Sequence, residues 1–289
     1  MTSPAPTNGN HATPQHQSSP ELRRRIVSAV VLATLALAAL VASPWSFLVL
    51  VIASATLLLW EWGAATRGTG ADATTILQVA CVTALVIFVA VHNFVVAAIL
   101  LAAALAVIAI WGRQKNGTWN ATLDAAGLAY VALPAAALIW LRSDPSYGLT
   151  AVLFVLVIAW TTDTASYVGG RTFGGPKFAP AISPKKTWSG FLVGTTVPAL
   201  IGLAFAQYLG NSSASALAVV ALALAFACQM GDLLESAVKR SLGIKDMSQL
   251  IPGHGGFFDR IDSLLLAAVV AALIALRNPV SPGAGLLIW

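Results

Sequence analysis

The sequence has 289 residues, of which 58% are apolar and only 9% are charged, and its mean hydropathy is +0.82. Soluble domains contain roughly 45–50% apolar and about 25% charged residues, so this composition excludes an ordinary soluble protein and indicates an all-α, polytopic membrane protein. The formal net charge is +5. Basic loops that face the cytoplasm and anionic lipids explain this charge better than nucleic-acid binding, which we do not expect.

The chain begins with a polar segment, residues 1–20, which is too poor in apolar residues to form a core and predicts a disordered cytoplasmic tail. About nine apolar segments follow, and each approaches the length of about 20 residues that a membrane-spanning helix needs. The predicted spans are 26–43, 46–62, 75–91, 93–111, 124–141, 148–169, 190–210, 215–231 and 261–276. We expect two units, N-terminal transmembrane helices over 21–147 and a second transmembrane domain with long polar loops over 148–289.

The basic residues predict the orientation of the chain in the membrane. With nine spans and a cytoplasmic N-terminus, only Arg142 and Arg277 of the 16 lysines and arginines fall outside. Because cytoplasmic loops carry an excess of basic residues, this distribution favours a cytoplasmic N-terminus. The polar loops 170–189 and 232–260 then face the cytoplasm. We therefore expect a protein of the inner (plasma) membrane with its site at the cytoplasmic face.

Acidic residues concentrate at the predicted cytoplasmic ends of the last spans. Asp232, Glu235, Ser236 and Lys239 are three, four and seven residues apart, so they share one face of a helix. Asp259 and Asp262 begin the last span, where acids that merely complement the helix dipole are also common. Because Mg²⁺ prefers carboxylate oxygens and substrate phosphates, the alternative is a metal site, with Asp232 and Asp259 as ligands from two helices.

A glycine-rich segment precedes the last span and predicts a phosphate site. Pro252–Gly256 contains three glycines that allow main-chain N–H groups to approach a phosphate closely. Lys245, Asp246, Asp259 and Arg260 flank this segment, which makes the prediction more specific than a glycine-rich turn alone. His254 could be catalytic, could contact phosphate, or could be a structural hydrogen-bonding residue.

The other polar loop, from Asp163 to Gly190, predicts a cradle for a polyphosphate. It contains Arg171, Lys185 and Lys186 together with several glycines. A simpler interpretation is a positively charged cytoplasmic loop with glycine turns, which fits the two lysines well. Asp163 fits that interpretation poorly, because an acid near the end of an apolar helix is costly unless it meets a cation.

These residues together resemble the signature of the phosphatidate cytidylyltransferases, also called CDP-diacylglycerol synthases. The first matching pattern is S-x-x-K-R-x4-K-D-x5-P-G-H-G-G-x-x-D-R-x-D, over 236–262, and the second comprises D-x3-Y-x2-G-R-x2-G and S-P-K-K-T, over 163–187. The resemblance covers about residues 150–275. It departs from the family at Ser189, where a glutamate is usual, so a metal or nucleotide role of that position is in doubt.

The resemblance implies an enzyme that transfers the cytidylyl group of CTP to phosphatidic acid, releasing pyrophosphate and forming CDP-diacylglycerol for phospholipid synthesis. It implies a homodimer, and a Mg²⁺ held by Asp232 and Asp259 beside which a monovalent cation such as K⁺ can bind. The catalytic residues that we predict are Asp232, Asp259, His254, Lys239, Arg240 and Asp262. The predicted substrate-binding residues are Asp163, Arg171, Lys185, Lys186, Ser236, Lys245, Asp246, Gly255, Gly256 and Arg260.

Two other functions fit parts of the sequence. The first is another lipid-phosphate or lipid-nucleotide transferase, such as an isoprenoid-phosphate kinase or an archaeal ether-lipid cytidylyltransferase, and the choice of nucleotide and acceptor would distinguish it. The second is a transporter, which predicts acids near the middle of spans at inverted-repeat positions. The acids of this chain instead cluster at one interface.

Overall fold

The computed structural model describes residues 19–250 and 255–289. Within these ranges the chain forms ten helices and one two-stranded sheet. The helices are α1 (Ser19–Ala42), α2 (Pro44–Arg67), α3 (Ala73–Ala90), α4 (Phe94–Arg142), α5 (Gly148–Phe173), α6 (Trp188–Thr196), α7 (Pro198–Leu209), α8 (Ala214–Ser241), α9 (Phe258–Ala275) and α10 (Pro282–Leu287), and the strands are β1 (Lys177–Ala179) and β2 (Ser183–Thr187).

The helices confirm a helical, multi-pass membrane protein. In the described ranges, seven helical segments are long and apolar enough to cross a bilayer. They are Pro44–Arg67, Ala73–Ala90, Phe94–Arg113, Asn120–Arg142, Gly148–Phe173, Trp188–Leu209 and Ala214–Ser241. The other two predicted spans correspond to the apolar part of α1, Val30–Ala42, and to α9. The count of nine, the cytoplasmic N-terminus and the division at residue 148 stay predictions, and residues 1–18 of the predicted tail lie outside the described residues.

Local capping explains why neighbouring apolar segments form separate helices. The Ser43 side chain accepts a hydrogen bond from the Ser46 amide at 3.0 Å and Pro44 opens α2, which together end α1 and begin the next helix. Between α3 and α4, His92 adopts a positive φ of 59° and the Asn93 side chain accepts from the Val96 amide.

The predicted spans 93–111 and 124–141 correspond to two membrane-length segments, Phe94–Arg113 and Asn120–Arg142, but both belong to one helix, because α4 runs without interruption from Phe94 to Arg142. The polar residues between the two segments lower the hydropathy there. They include no proline, and residues such as Arg113 and Lys115 are good helix formers. The predicted span 190–210 corresponds to the single segment Trp188–Leu209, within which Pro198 opens a new helix and divides the segment at Val197 into α6 and α7.

The polar loop that precedes α6 contains a short β-hairpin, which the sequence analysis did not predict. Strands β1 and β2 pair antiparallel, with Lys177 opposite Thr187 and Ala179 opposite Ser183, so the chain is not purely helical. The Thr187 side chain then caps α6 by accepting a hydrogen bond from the Gly190 amide at 3.2 Å. This cap fixes the hairpin, including Lys185 and Lys186 on β2, to the first turn of α6.

Small residues bring α6 close to α5 below the hairpin. A Cβ atom on Gly194 would lie 1.8 Å from Ser166 Oγ, and one on Gly190 would lie 2.8 Å from the Ser166 carbonyl oxygen. Small residues allow such close backbone approach between membrane helices. On the other side, α8 packs against α9, where a Cβ on Gly231 would lie 2.8 Å from the Asp262 carbonyl oxygen. These contacts bring the polar ends of α5, α6, α8 and α9 together.

Candidate active site

A polar cavity of about 760 Å³ lies where these helix ends meet the hairpin. Residues from α5, β1, β2, α6, α8, α9 and the loop after α8 line it. Ten of the residues predicted from the sequence line this cavity: Asp163, Arg171, Lys185, Lys186, Asp232, Lys239, Asp246, Asp259, Arg260 and Asp262. Five are acidic and five are basic, so the cavity can hold both a cation and polyanionic groups.

The polar face predicted for α8 forms one wall of the site. Ser236 Oγ donates to Asp232 Oδ1 at 3.4 Å, and Lys239 Nζ lies 2.6 Å from Glu235 Oε2 one turn further along. Glu235 and Lys239 are buried. The spacing of three, four and seven residues therefore places these side chains side by side, as the sequence indicated.

Asp259, in the first turn of α9, anchors the segment around it. Its Oδ1 lies 2.5 Å from Lys239 Nζ, and its Oδ2 accepts from the backbone amides of Met247 at 3.2 Å and Gly256 at 2.9 Å. A Cβ on Gly256 would lie 2.9 Å from Asp259 Oδ2, so glycine is what allows this amide to approach the carboxylate. Both oxygens of Asp259 are therefore already engaged with the protein.

A different set of carboxylates lies close enough together to hold a metal ion. One ligand oxygen from each of Asp232, Glu235 and Asp262 lies within 4.8 Å of the others. Glu235 Oε1 is buried and has no hydrogen-bond partner among the described residues, which is costly unless a cation or water satisfies it. Three carboxylate oxygens suit a hard cation such as Mg²⁺.

The sequence predicted Asp232 and Asp259 as the metal ligands, and that pair stays a prediction. The geometry favours Asp232 with Glu235 and Asp262 instead, because Asp259 is held by Lys239 and by two backbone amides. Glu235 was noted in the sequence only as a member of the α8 face. Its burial, which no spacing pattern reveals, is what distinguishes it.

The hairpin places Lys185 and Lys186 at the cavity. Lys186 Nζ lies 2.7 Å from Asp232 Oδ2, while Lys185 is exposed at the cavity. Arg171 lies across from them on α5, where it donates to the Tyr167 hydroxyl at 2.7 Å. These three cations therefore line the same cavity as Asp232 and Asp262.

Comparisons with known proteins show the family of the chain. The model of the Cytidylyltransferase family matches residues 23–276. The chain belongs to this family. Phosphatidate cytidylyltransferase of Brucella suis biovar 1 (strain 1330) is 35% identical over 254 residues, which cover 87% of this chain and 92% of the relative. Phosphatidate cytidylyltransferase of Rickettsia bellii (strain RML369-C) is 39% identical over 155 residues, which cover 51% of this chain and 67% of the relative.

Several predicted residues of this cytidylyltransferase lie beside the cavity rather than in its wall. Arg240 donates to the Ile182 carbonyl at 3.3 Å and the Ile244 carbonyl at 3.0 Å, so it joins the hairpin to the segment after α8. Lys245 is exposed, and Gly255 adopts a positive φ of 81° near Asp259. His254 lies outside the described residues.

The Ser189 side chain contacts the turn after α5 and the hairpin. Its hydroxyl donates to the Gly174 carbonyl at 2.5 Å and lies 3.1 Å from Thr187 Oγ1, so it holds the turn after α5 against the hairpin. The structure therefore gives Ser189 two local hydrogen-bonding partners, Gly174 and Thr187.

Glu61 on α2 is a residue that the sequence analysis missed. It is fully buried. Its Oε1 accepts from the Ser248 hydroxyl and from the Phe257 amide at 2.8 Å, and its Oε2 accepts from the Phe258 amide at 2.6 Å. An isolated acid within an apolar span was the available signal, but nothing in the sequence linked it to a loop nearly 200 residues away.

Aromatic packing also holds the start of α9 against α2 and α4. The rings of Tyr130 and Phe258 stack with their centroids 5.5 Å apart, and Trp62 lies 5.9 Å from Phe258. Trp62 Nε1 also donates to the Leu123 carbonyl at 3.0 Å. Helices α2 and α4 of the N-terminal half therefore position the start of α9, which carries Asp259, Arg260 and Asp262.

Proposed function

We propose that the protein transfers the cytidylyl group of CTP to phosphatidic acid, giving CDP-diacylglycerol and pyrophosphate. The observation that carries this proposal is the polar cavity at the ends of membrane helices, where Asp232 and Asp262 line the wall beside the buried Glu235 together with five basic side chains. The curated relatives named phosphatidate cytidylyltransferase supply the choice of substrates. A site at the membrane interface can be reached by a water-soluble nucleotide and by a lipid.

The reaction is a displacement at the α-phosphorus of CTP. An oxygen of the lipid phosphate forms a bond to this phosphorus, and the bond from it to the oxygen that bridges to the β-phosphate breaks. Pyrophosphate leaves with that electron pair, and any proton on the lipid phosphate passes to water. Because the lipid phosphate is already anionic near pH 7, no strong general base is needed. The enzyme must instead bring two anions together and stabilise the transition-state charge.

We propose different roles for the basic and the acidic residues. We assign Arg171, Lys185 and Lys186 to the phosphates of CTP and Arg260 to the lipid phosphate, all at the cavity. Asp232, Glu235 and Asp262 would hold Mg²⁺, which supplies positive charge at the reacting phosphates when bound. Lys239 holds Glu235 and Asp259 in position through contacts of 2.6 and 2.5 Å.

Other features of the proposal come from the family resemblance and from the charge distribution. We propose a homodimer in the inner (plasma) membrane, with the cavity at the cytoplasmic face and a monovalent cation such as K⁺ beside Mg²⁺. His254 remains a candidate catalytic residue on the strength of its place in the P-G-H-G-G pattern. The positive-inside distribution supports the orientation.

Pyrophosphate release by the purified protein in detergent micelles tests the activity. We expect release only when CTP, phosphatidic acid and Mg²⁺ are all present. Replacement of CTP by ATP, or of phosphatidic acid by an isoprenoid phosphate, should abolish it. Faster turnover with ATP or with the isoprenoid acceptor would instead support the other lipid-phosphate transferases that the sequence left open.

A further inference from the structure

An apolar groove of about 310 Å³ lies next to the polar cavity, between α1, α2, α4, α5 and α9. Its lining is hydrocarbon or aromatic except for Ser54 and Arg260. On α9, Ile261 and Leu264 line the groove, whereas Asp259 and Asp262 line the polar cavity. The first turns of α9 therefore separate an apolar compartment from a polar one.

The groove extends along α2 from the level of the site into the bundle. Glu61 accepts hydrogen bonds from the amides of Phe257 and Phe258, so this part of α2 lies beside the start of α9. Leu58 is one helical turn before Glu61 and therefore lies near the same level. Leu58 and Phe47 both line the groove and are eleven residues apart, which is about 16 Å of helix. One leaflet of the hydrocarbon core is roughly 15 Å thick. The length of the groove along α2 therefore matches the thickness of one leaflet, which is the depth that an acyl chain of a lipid occupies.

Arg260 lines both the groove and the polar cavity. A cation at that boundary complements the phosphate of a lipid whose chain lies in the groove and whose headgroup lies in the cavity. We propose that the groove binds an acyl chain of the lipid phosphate substrate and that Arg260 marks where its phosphate enters the cavity. This inference rests on the proposed function, since it concerns the lipid substrate of the same site.

A second apolar groove, of about 490 Å³, runs between α5 and α6 past Val193 and Val197. Its lining shares no residue with the polar cavity and contains no charged side chain. Unlike the groove lined by Arg260, this groove has no cation among the described residues of its wall that could bind the phosphate of a lipid. The two grooves therefore give different predictions for where a lipid chain contacts the protein.

Photolabelling of the full chain in bilayer nanodiscs tests the binding site independently of turnover. The probe is phosphatidic acid with a diazirine near the end of one acyl chain. We expect labelled residues on α2 between Phe47 and Leu58, and at least about fivefold less labelling by a phosphatidylcholine probe, because Arg260 favours the more anionic headgroup. Labelling at Val193 and Val197, or equal labelling by both probes, would overturn the proposal. A failure of the proposed function would appear separately, as no pyrophosphate release from a protein that still takes up the label.

Two tryptophan variants on α2 test the same groove by kinetics. Ser54→Trp would fill the groove, whereas Ala53→Trp places the same side chain on an exposed, neighbouring position outside it. For Ser54→Trp we expect the KM for dioleoyl phosphatidic acid to rise at least about tenfold and that for dihexanoyl phosphatidic acid less than about threefold, with the KM for CTP unchanged. An equal rise for both chain lengths, or the same rise in Ala53→Trp, contradicts the proposal.

Discussion

The carboxylates of Asp232, Glu235 and Asp262, from two helices, lie within 4.8 Å of one another, and Asp232 and Asp262 line the polar cavity. At this distance the ionised carboxylates repel one another, which makes the ionised state unfavourable unless a cation lies among them. Lys186 lies against Asp232 and Lys239 against Glu235, whereas Asp262 makes no ion pair with any described residue. The arrangement is therefore short of positive charge at the point where the three oxygens meet, which is where Mg²⁺ is proposed to bind.

This arrangement predicts different effects for neighbouring acids. Glu235→Gln and Asp262→Asn should each lower turnover at least about a hundredfold, because each would remove a charged ligand of the proposed Mg²⁺, which would stabilise the transition state. Both should also weaken Mn²⁺ binding, measured by electron paramagnetic resonance. Asp259→Asn is the matched variant, and it should retain most of the Mn²⁺ affinity. If Asp259→Asn lost more Mn²⁺ affinity than Asp262→Asn, the pair Asp232 and Asp259 would be favoured instead.

Lys186 should act mainly in nucleotide binding. It is a flexible point charge on β2, so Lys186→Ala should raise the KM for CTP more than it lowers kcat. Lys177→Ala is the control, because Lys177 is an exposed lysine of the same hairpin that does not line the cavity. Steady-state pyrophosphate release over a range of CTP concentrations measures both constants. An unchanged KM in Lys186→Ala would remove the hairpin from the nucleotide site.

At the scale of elements, α2 and α9 are joined by Glu61. This buried carboxylate satisfies the Phe257 and Phe258 amides at the start of α9, where helices leave N–H groups without intrahelical partners. It also binds Ser248 in the loop after α8. The N-terminal helices therefore act on the site by fixing the position of the helix that carries Asp259 and Asp262.

Glu61→Gln tests that positioning role without changing the volume of the side chain. The amide would turn a donor toward backbone N–H groups, so we expect the free energy of unfolding to fall by about 1–3 kcal/mol. The kcat should also fall at least about tenfold, with little change in the KM for CTP. The reason is that a shift of α9 would displace Asp262, which is proposed to stabilise the transition state through Mg²⁺. Ser248→Ala removes one of the contacts and should have a smaller effect on both. A variant that loses stability but keeps its kcat would show that Glu61 is only structural.

The elements also differ in how far the sequence could predict them. Apolar length identified the spans, but not where helices end, since the polar stretch around Arg113 and Lys115 stays helical within α4. The hairpin was missed because strands of three and five residues are too short to show a pattern. The α8 face was predictable because it depends on local spacing alone. Glu61 and the burial of Glu235 depend on long-range packing, which no local pattern encodes.

At the scale of the whole molecule, the distribution of the basic residues predicts the orientation of the chain in the membrane. Cysteines introduced at Asn10 and Val280, in a background lacking Cys81 and Cys228, should be labelled from opposite sides of the membrane. Val280 is suitable because it is 93% exposed in the turn before α10. Labelling from the same side would mean an even number of spans and would contradict the nine-span topology.

Transfer of isotope from CTP to lipid tests the central proposal most directly. Proteoliposomes containing phosphatidic acid would be supplied with Mg²⁺ and with CTP labelled at either the α- or the γ-phosphate. Bond cleavage between the α- and β-phosphates predicts that the α label enters the lipid product and that the γ label remains in water-soluble pyrophosphate. Variants Glu235→Gln and Asp262→Asn should lose α-label transfer. Appearance of the γ label in lipid would contradict cytidylyl transfer and indicate a kinase.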